Sequence, residues 1–335
     1  MTVDPYVGHG TPDRAHLRGR AVVRRQQPRR RIGAAATLLT GLTRYLRVEA
    51  KSEPIDIEVA GQTISAVSDD EGYLSVDIDL PEVSTGWHDV TWRSSSGAVP
   101  GRLLVVDPDA PLGLVSDLDD TVIHTGLTRA WEALRTSLLV ADEDRLPIAG
   151  GAELYQALLA NGSGTADPKT RAPAFYVSTG AWNMHEMLLL FLARNGFPAG
   201  PILLTDWGPS ARWLFREDSV AFKARTIASL IAQHPRPGWV LVGDSGQHDP
   251  EAYAAVVRSC PGRVRAVYIR EVPPTSEPRT KRVGELAAEM AGLGVPMLLI
   301  RDSVEAAEHA HGLGLIDESG VARVRAAVLA DSSAA

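Results

Sequence analysis

Residues 112–121 read Leu-Gly-Leu-Val-Ser-Asp-Leu-Asp-Asp-Thr, a mostly apolar run that ends in a cluster of carboxylates. Residues 112–118 have the length and composition of a strand buried on both faces of a sheet. Asp117 and Asp119 are two positions apart, so their side chains share one face if the segment is extended. Two such carboxylates repel each other, and a divalent cation with oxygen ligands would relieve the repulsion. The alternative is an acidic loop that caps the following helix.

Five more short apolar runs follow this motif, and helix-length amphipathic segments separate them. The runs are residues 175–178, 202–205, 239–243, 264–269 and 297–300. Apolar strands that alternate with helices predict an α/β fold with a doubly wound, mostly parallel sheet. Ligands of such sheets bind beyond the carboxyl ends of the strands, so functional residues are expected directly after each run.

The first of these further runs ends in Ser178-Thr-Gly180, and a helix is expected from Trp182 onwards. A hydroxyl, a glycine and the exposed N–H groups of a helix N-terminus together favour a site for a phosphate or an oxyanion. A plain helix start is the alternative interpretation of the same residues.

Lys223 lies among the apolar residues of a predicted helix. The apolar stripe of that helix consists of Val220, Ile227, Leu230 and Ile231. At about 100° per residue, Lys223 falls within the stripe rather than opposite it. A lysine on an inward face is unusual unless its ammonium reaches an anionic group. The alternative is a side chain that extends to solvent at the helix end.

The run at 239–243 leads into Asp244, and Asp249 follows in the same loop. Asp244 stands at the carboxyl end of a buried strand, where an unpaired charge is costly. Asp249 precedes Pro250 and an alanine-rich helix, a position that suits a helix cap. A cap and a metal-site role are both open for Asp249, and one residue can fill both.

The chain before Pro111 has a different pattern, in which apolar and polar residues alternate. This alternation is typical of half-buried strands, and turn-forming residues separate the segments at 55–59, 73–80 and 88–92. A small β-sandwich is therefore expected, with a short helix inserted at 37–46.

Three parts of the chain follow from these patterns, with a stiff polar link at 107–111 as the main boundary. We predict a β-sandwich-like domain with a basic N-terminal segment at 1–108, and an α/β catalytic domain at 109–320. Residues 321–335 are predicted to form the end of a C-terminal helix and a frayed tail.

Charge is distributed unevenly along the chain. Residues 1–50 contain ten arginines against three acidic residues, a net charge of +7, whereas the whole chain carries −7. A basic segment on an acidic protein suggests an anionic partner such as a lipid headgroup, although solvated surface arginines are the alternative. Only Tyr6 and Tyr45 could stack on bases in this region, so no nucleic-acid partner is expected.

Composition excludes several classes of protein. The 335 residues are 44% hydrophobic and 22% charged, which is typical of a globular chain of about two domains. The apolar stretch at 32–42 is too short to span a bilayer. A single cysteine, Cys260, excludes an intramolecular disulfide and favours a cytoplasmic protein. A cysteine-phosphatase mechanism is also excluded, because Ala266 stands where an arginine would be needed.

The order of these motifs resembles the haloacid dehalogenase superfamily of phosphotransferases. Three stretches are similar, more narrowly, to the actin-patch-associated phosphatidate phosphatase family and its bacterial relatives: residues 175–183, 197–206 and 242–249. Weaker similarity at 6–11, 19–20 and 70–73 extends the resemblance over roughly residues 5 to 318, and it is strongest from 112 to 270. The chain departs from the family at Gly180-Ala181, where fungal members tend to have Ser-Pro.

The resemblance implies a role for each residue of the motifs. Asp117 would attack phosphorus and form an aspartyl phosphate, and Asp119 would act as general acid and then as general base. Thr121 would hold the geometry of the loop. Ser178 and Lys223 would bind the phosphoryl oxygens.

The resemblance also implies a Mg²⁺ cofactor. Its ligands would be the carboxylates of Asp117 and Asp244 and the backbone carbonyl of Asp119. Asp249 would hold the water shell of the metal or position Lys223.

The predicted function is therefore a Mg²⁺-dependent phosphatase that converts phosphatidate to diacylglycerol. The alternatives are a phosphatase of a soluble sugar or nucleotide phosphate, and a noncatalytic adaptor at a membrane surface. The predicted substrate is an anionic lipid, and its protein partners are unknown. We expect a cytoplasmic protein that contacts the inner face of the membrane through its basic segment.

Overall fold

The computed structural model describes residues 1–23, 48–49, 52–118, 121–122, 147–161, 172–205, 219–273 and 276–334. The helix predicted at 37–46 and seven of the ten arginines of the basic N-terminal segment lie outside these residues. The described residues divide into two compact units, one within Met1–Val105 and the other from Val106 onwards.

The described residues of the first unit contain nine strands joined by hydrogen bonds. They are β1 (Thr2–Pro5), β2 (Gly8–Thr11), β3 (Arg14–Val23), β4 (Val48–Glu49), β5 (Pro54–Val59), β6 (Gln62–Val67), β7 (Tyr73–Asp79), β8 (Gly86–Ser94) and β9 (Gly97–Val105). Their order is β1-β3-β2-β9-β8-β5-β6, and β4 and β7 also pair with β3. The sheet is mixed, because β2 and β9 run parallel while the other pairs are antiparallel. A β-sandwich remains a prediction for this unit.

Alternating residues build the core of the first unit. Along β5, Ile55, Ile57 and Val59 are buried, as the sequence pattern predicts, and they join a cluster that includes Trp92. Arg20 is fully buried in this unit, and its Nε donates a hydrogen bond to the Glu71 carbonyl at 3.0 Å. The solvated interpretation is therefore wrong for Arg20, whose guanidinium satisfies a backbone carbonyl instead of meeting water.

The second unit contains a six-stranded parallel sheet. Its strands are β10 (Leu112–Ser116), β11 (Ala174–Ala181), β12 (Ile202–Thr205), β13 (Gly238–Asp244), β14 (Val264–Arg270) and β15 (Met297–Ile300). Every strand predicted after Pro111 is present, and the α/β class with a parallel sheet is confirmed. In the order β12-β11-β10-β13-β14-β15, successive strands are added on one side of β10 and then, from β13 onwards, on its other side. This switch point beside β10 is where ligands of parallel sheets bind.

Helices connect and cover these strands. They are α1 (Gly151–Asn161), α2 (His185–Arg194), α3 (Ser219–Gln233), α4 (Asp249–Ser259), α5 (Glu277–Gly292), α6 (Ser303–Gly312) and α7 (Glu318–Ala334), with a 3-10 turn at Trp182–Met184 before α2. The sequence pattern predicts a frayed tail after residue 330, but α7 continues to Ala334. None of the described helices combines the length and apolar character needed to cross a membrane.

Candidate active site

Asp117 directly follows β10, the strand at the switch point of the parallel sheet. Ser116, the last residue of β10, pairs with Tyr176 of β11 on one side and with Val242 of β13 on the other. The N–H of Asp117 continues this pattern and donates to the Val242 carbonyl at 2.9 Å. The side chain is 1% exposed, so the carboxylate is held in a buried position between two strand ends.

Lys223 meets Asp117 from α3. Its side chain is 3% exposed, and Ile227, Leu230 and Ile231 are buried with it on the same helix, as the stripe predicts. The ammonium nitrogen lies 2.6 Å from Oδ1 of Asp117 and also donates a hydrogen bond to Oδ1 of Asp249. The alternative of a solvent-directed lysine is wrong, because these carboxylates provide the anionic environment inside the protein.

The same contacts decide the protonation of Lys223. Burial by itself lowers the pKa of the ammonium, but Asp117 and Asp249 more than offset this effect and raise the pKa above its ordinary value. Lys223 is therefore charged at neutral pH and holds both carboxylates in fixed positions.

Asp244 and Asp249 flank the short turn between β13 and α4. Asp244 is the last residue of β13, is fully buried, and accepts a hydrogen bond from the Gln247 N–H at 2.8 Å. Oδ2 of Asp249 accepts the N–H of Asp244 at 3.1 Å. The cap interpretation of Asp249 is wrong, because His248 holds the cap position of α4 and Asp249 turns back toward Lys223 and β13.

Three buried carboxylates meet at this point. Asp117, Asp244 and Asp249 each offer an oxygen within 4.8 Å of the others. With the ammonium of Lys223, the formal charges of these four buried side chains add up to −2. Such a charge is costly without a counterion, and carboxylate oxygens are the ligands that hard divalent cations prefer. The donor set therefore fits a divalent metal ion.

Gly243 has no side chain, which allows the Asp249 carboxylate to lie close to the backbone of β13. A Cβ atom at Gly243 would lie 2.5 Å from Oδ2 of Asp249 and 2.7 Å from the ring of Tyr253. Tyr253 in turn donates its hydroxyl proton to the Val242 carbonyl at 2.9 Å. The sequence patterns did not identify a role for Gly243 or Tyr253. Asp249 and Tyr253 are nevertheless four residues apart on α4, a spacing that places them on one helix face.

Ser178 stands at the same sheet edge as Asp117, two residues beyond the Tyr176 that pairs with Ser116. Strand β11 is longer than predicted, and its register against β12 shifts between Ser178 and Ala181, which is a β-bulge. Ser178 is 2% exposed, and its hydroxyl accepts the N–H of Gly180 at 2.9 Å. The hydroxyl thus fixes the backbone of the bulge ahead of the 3-10 turn and α2.

Tyr155 is a further residue beside the site that sequence reasoning missed. Its hydroxyl lies 2.6 Å from Oγ of Ser116, and Oγ of Ser116 donates to the Asp117 carbonyl at 2.6 Å. Because Ser116 uses its only proton on that carbonyl, Tyr155 donates its own proton to Ser116. Burial raises the pKa of the Tyr155 phenol, which keeps that proton in place.

Two predicted site residues have no established place in this arrangement. Thr121 is buried, and its hydroxyl finds no hydrogen-bond partner among the parts of the chain that the structure describes. Asp119 lies outside the described residues, so its role as acid and base stays a prediction.

The segment that carries these residues is similar to a known catalytic domain. Residues 112–271 match the family described as "Phosphatidate phosphatase APP1, catalytic domain". The chain is 32% identical over 159 residues to "Phosphatidate phosphatase APP1" of Saccharomyces cerevisiae, which covers 48% of this chain and 26% of that protein. The chain is also 23% identical over 213 residues to an uncharacterized protein of Schizosaccharomyces pombe. The aligned residues cover 60% of this chain and 33% of that protein.

The chain spans only about a quarter to a third of the length of the curated relatives it matches. Among solved structures, a carbohydrate acetylesterase from Xanthomonas citri covers 88% of this chain and 66% of its own at 11% identity, but with a TM-score of 0.31. That likeness carries no argument about fold or function. The matched residues 112–271 include Asp117, Ser178, Lys223, Asp244 and Asp249.

Proposed function

We propose that the second unit is a Mg²⁺-dependent phosphatase that hydrolyses phosphatidate to diacylglycerol and phosphate. The observation that carries this proposal is the buried group of Asp117, Asp244, Asp249 and Lys223, which lies within the segment similar to a phosphatidate phosphatase. A buried cluster of three carboxylates and one ammonium has little value as a stabilising core, since an apolar core of similar volume would serve as well. Its chemistry suits a reaction on an anionic substrate.

Asp117 is the nucleophile of the proposed reaction. An aspartate has an ordinary pKa of about 3.9 and is already ionised at neutral pH, so it needs no base to activate it. Its carboxylate forms a bond to phosphorus while the bond from phosphorus to the glycerol oxygen breaks, which gives an aspartyl phosphate. Asp119 gives its proton to the departing oxygen. Asp119 then takes a proton from a water molecule as that water attacks phosphorus. The bond between phosphorus and the Asp117 oxygen breaks, so phosphate leaves and the Asp117 carboxylate is restored.

Other residues bind and orient the phosphate in this proposal. Asp117, Asp244 and the Asp119 carbonyl would hold Mg²⁺, which when bound offsets the negative charge of the phosphate. Lys223 and the Ser178 hydroxyl would bind phosphoryl oxygens as charge shifts between them. Asp249 positions Lys223 through their hydrogen bond, and Thr121 would hold the loop that carries Asp119.

We also propose a haloacid dehalogenase-like fold for residues 109–320 and a β-sandwich for residues 1–108. The parallel sheet with Asp117 at its switch point supports the first assignment. The shared core of β3, β5, β7, β8 and β9 supports the second.

Phosphate release tests the proposed function. The purified protein is incubated with phosphatidate in mixed micelles, with a soluble sugar phosphate and with an aryl phosphate, each with Mg²⁺ and with EDTA. We expect turnover of phosphatidate that needs Mg²⁺ and disappears in Asp117→Asn, a variant that keeps the shape of the side chain. Faster turnover of the sugar phosphate would favour the soluble-substrate alternative. No turnover of any ester would favour the noncatalytic adaptor.

The basic N-terminal segment supports a role at the inner face of the membrane. Arg29, Arg30 and Arg31 lie outside the described residues, but the charge of residues 1–50 favours anionic lipid at about 1 kcal/mol per arginine near the surface. Replacement of all three by Gln should weaken flotation with anionic liposomes without changing turnover of the aryl phosphate. Equal flotation of this variant and the wild-type protein would contradict the membrane proposal.

A further inference from the structure

Arg279 contacts the loop that carries Asp244 and Asp249. It lies in the first turn of α5, and its side chain is 21% exposed. Its Nε donates to the Ser245 carbonyl at 2.7 Å, and its Nη2 donates to the Gln247 carbonyl. One guanidinium thus binds two carbonyls of the short turn between the two carboxylates.

The same guanidinium is anchored to α4. Nη1 of Arg279 lies 2.6 Å from Oε1 of Glu251, and Nη2 lies 3.1 Å from Oε2, a bidentate pair in which Glu251 is 22% exposed. A planar guanidinium is suited to this task, because its donors hold a fixed geometry. Arg279 therefore joins α5, α4 and the turn into one unit.

The turn depends on such external contacts. The Ser245 N–H donates to the Arg270 carbonyl at 2.8 Å, and Oγ of Ser245 accepts the Val272 N–H at 2.9 Å. These bonds hold the side of the turn that faces β14. Arg279 supplies donors to the Ser245 and Gln247 carbonyls, which the hydrogen bonds of the parallel sheet do not reach.

We propose that Arg279 is a positioning residue that fixes the turn and thereby sets the distance and orientation of Asp244 and Asp249. This inference rests on the proposed function, because the two carboxylates matter as part of a metal-binding group. Arg279 lies beyond the segment that matches the phosphatidate phosphatase catalytic domain, which ends at residue 271. The metal-binding group thus depends on a helix outside the matched segment.

The chain offers a matched control for Arg279. Arg258 on α4 also forms a bidentate pair across to α5, with Glu289 at 2.6 and 2.8 Å, but at the opposite end of both helices. Arg258→Gln and Arg279→Gln therefore remove the same kind of interhelical pair. Only the second removes contacts with the turn.

Binding of Mn²⁺ to the metal-free full-length protein, followed by electron paramagnetic resonance, tests the proposal directly. Residues that orient metal ligands typically change metal affinity by about 10–100-fold when replaced. We expect Arg279→Gln to weaken Mn²⁺ binding within that range and to raise the Mg²⁺ concentration needed for half-maximal phosphate release. Arg279→Lys, which keeps the charge but not the fork of donors, should fall between Arg279→Gln and wild type. Circular dichroism establishes that each variant is folded.

The outcomes separate this inference from the proposed function. Wild-type protein that binds Mn²⁺ but releases no phosphate overturns the proposed function alone, and the affinities of the variants still decide the role of Arg279. Unchanged Mn²⁺ affinity in folded Arg279→Gln or Arg279→Lys, or an equal loss in Arg258→Gln, would overturn the positioning role. Wild-type protein that binds no Mn²⁺ would overturn both.

Discussion

The ammonium nitrogen of Lys223 lies 2.6 Å from Oδ1 of Asp117, a residue 106 positions earlier in the chain. Both side chains are buried, and the same nitrogen donates to Asp249. One positive charge is therefore shared by two carboxylates from different elements. This arrangement makes Lys223 the main electrostatic link between β10 and the start of α4.

Lys223→Met should lower the free energy of unfolding by about 3–5 kcal/mol at pH 7, because it leaves two buried carboxylates without their counterion. Urea unfolding at pH 7 measures this effect. Lys281→Met, at an exposed position of α5, is the control and should change stability little. A variant as stable as wild type at pH 7 would contradict the buried ion pair.

Gly243→Ala should destabilise the protein by about 1–3 kcal/mol, because its Cβ would meet Asp249 and Tyr253 and force both to move. Phosphate release should fall as Asp249 shifts away from Lys223. The control is Gly284→Ala within α5, where a Cβ meets nothing within 4 Å. That variant should gain up to about 1 kcal/mol from helix propensity. Thermal unfolding measures the change in stability of both variants. If both variants were stabilised, or both were destabilised, the steric argument would be refuted.

Asp249→Asn and Asp244→Asn should differ in metal-free protein. Both variants remove one negative charge from a group with a formal net charge of −2, but only Asp249→Asn also weakens the hydrogen bond to the Lys223 ammonium. In EDTA, Asp249→Asn should therefore lower the unfolding free energy more than Asp244→Asn does. Both should lose the added stability that Mg²⁺ gives the wild-type protein. Equal effects in EDTA would show that Asp249 does not act through Lys223.

His185 predicts a loss of stability in mild acid. Burial lowers the pKa of this histidine to about 4 in the folded protein, compared with about 6.5 when unfolded. As the pH falls below about 6.5 the unfolded chain binds this proton first, so the free energy of unfolding decreases by up to about 3 kcal/mol by pH 4. Its place at the start of α2 also disfavours the protonated form.

His185→Gln removes this contribution, so the stability of the variant should fall less steeply between pH 7 and pH 4 than that of wild type. Urea unfolding across this range measures the difference. Parallel slopes for His185→Gln and wild type would argue against a buried neutral histidine.

Sequence periodicity was sufficient to predict the parallel sheet and the inward position of Lys223. Apolar runs marked all six strands, because strands covered on both faces exclude polar residues over their length. The convergence of Asp117 and Asp244 followed from a general rule, since parallel strands end at one edge.

Periodicity did not predict contacts that depend on the exact course of a loop. The bulge after Ser178 and the turn of Asp249 back to Lys223 are set by hydrogen bonds within irregular segments. Tyr155 meets Ser116 across 39 positions, and Arg279 meets Ser245 across 34. No local sequence pattern links the two residues of such a pair, because each contact depends on how a helix packs against the sheet.

The pairing of β10 with β13 also bears on how the chain is made. Leu112 pairs with Gly238, so β10 leaves the ribosome long before the strand that completes one of its edges. At ordinary rates of synthesis that interval is on the order of ten seconds. During this interval, a strand of mostly apolar residues has one unpaired edge, a state prone to aggregation. Production of this protein should therefore depend on chaperones that bind nascent chains, and slower translation should lower the yield of soluble protein.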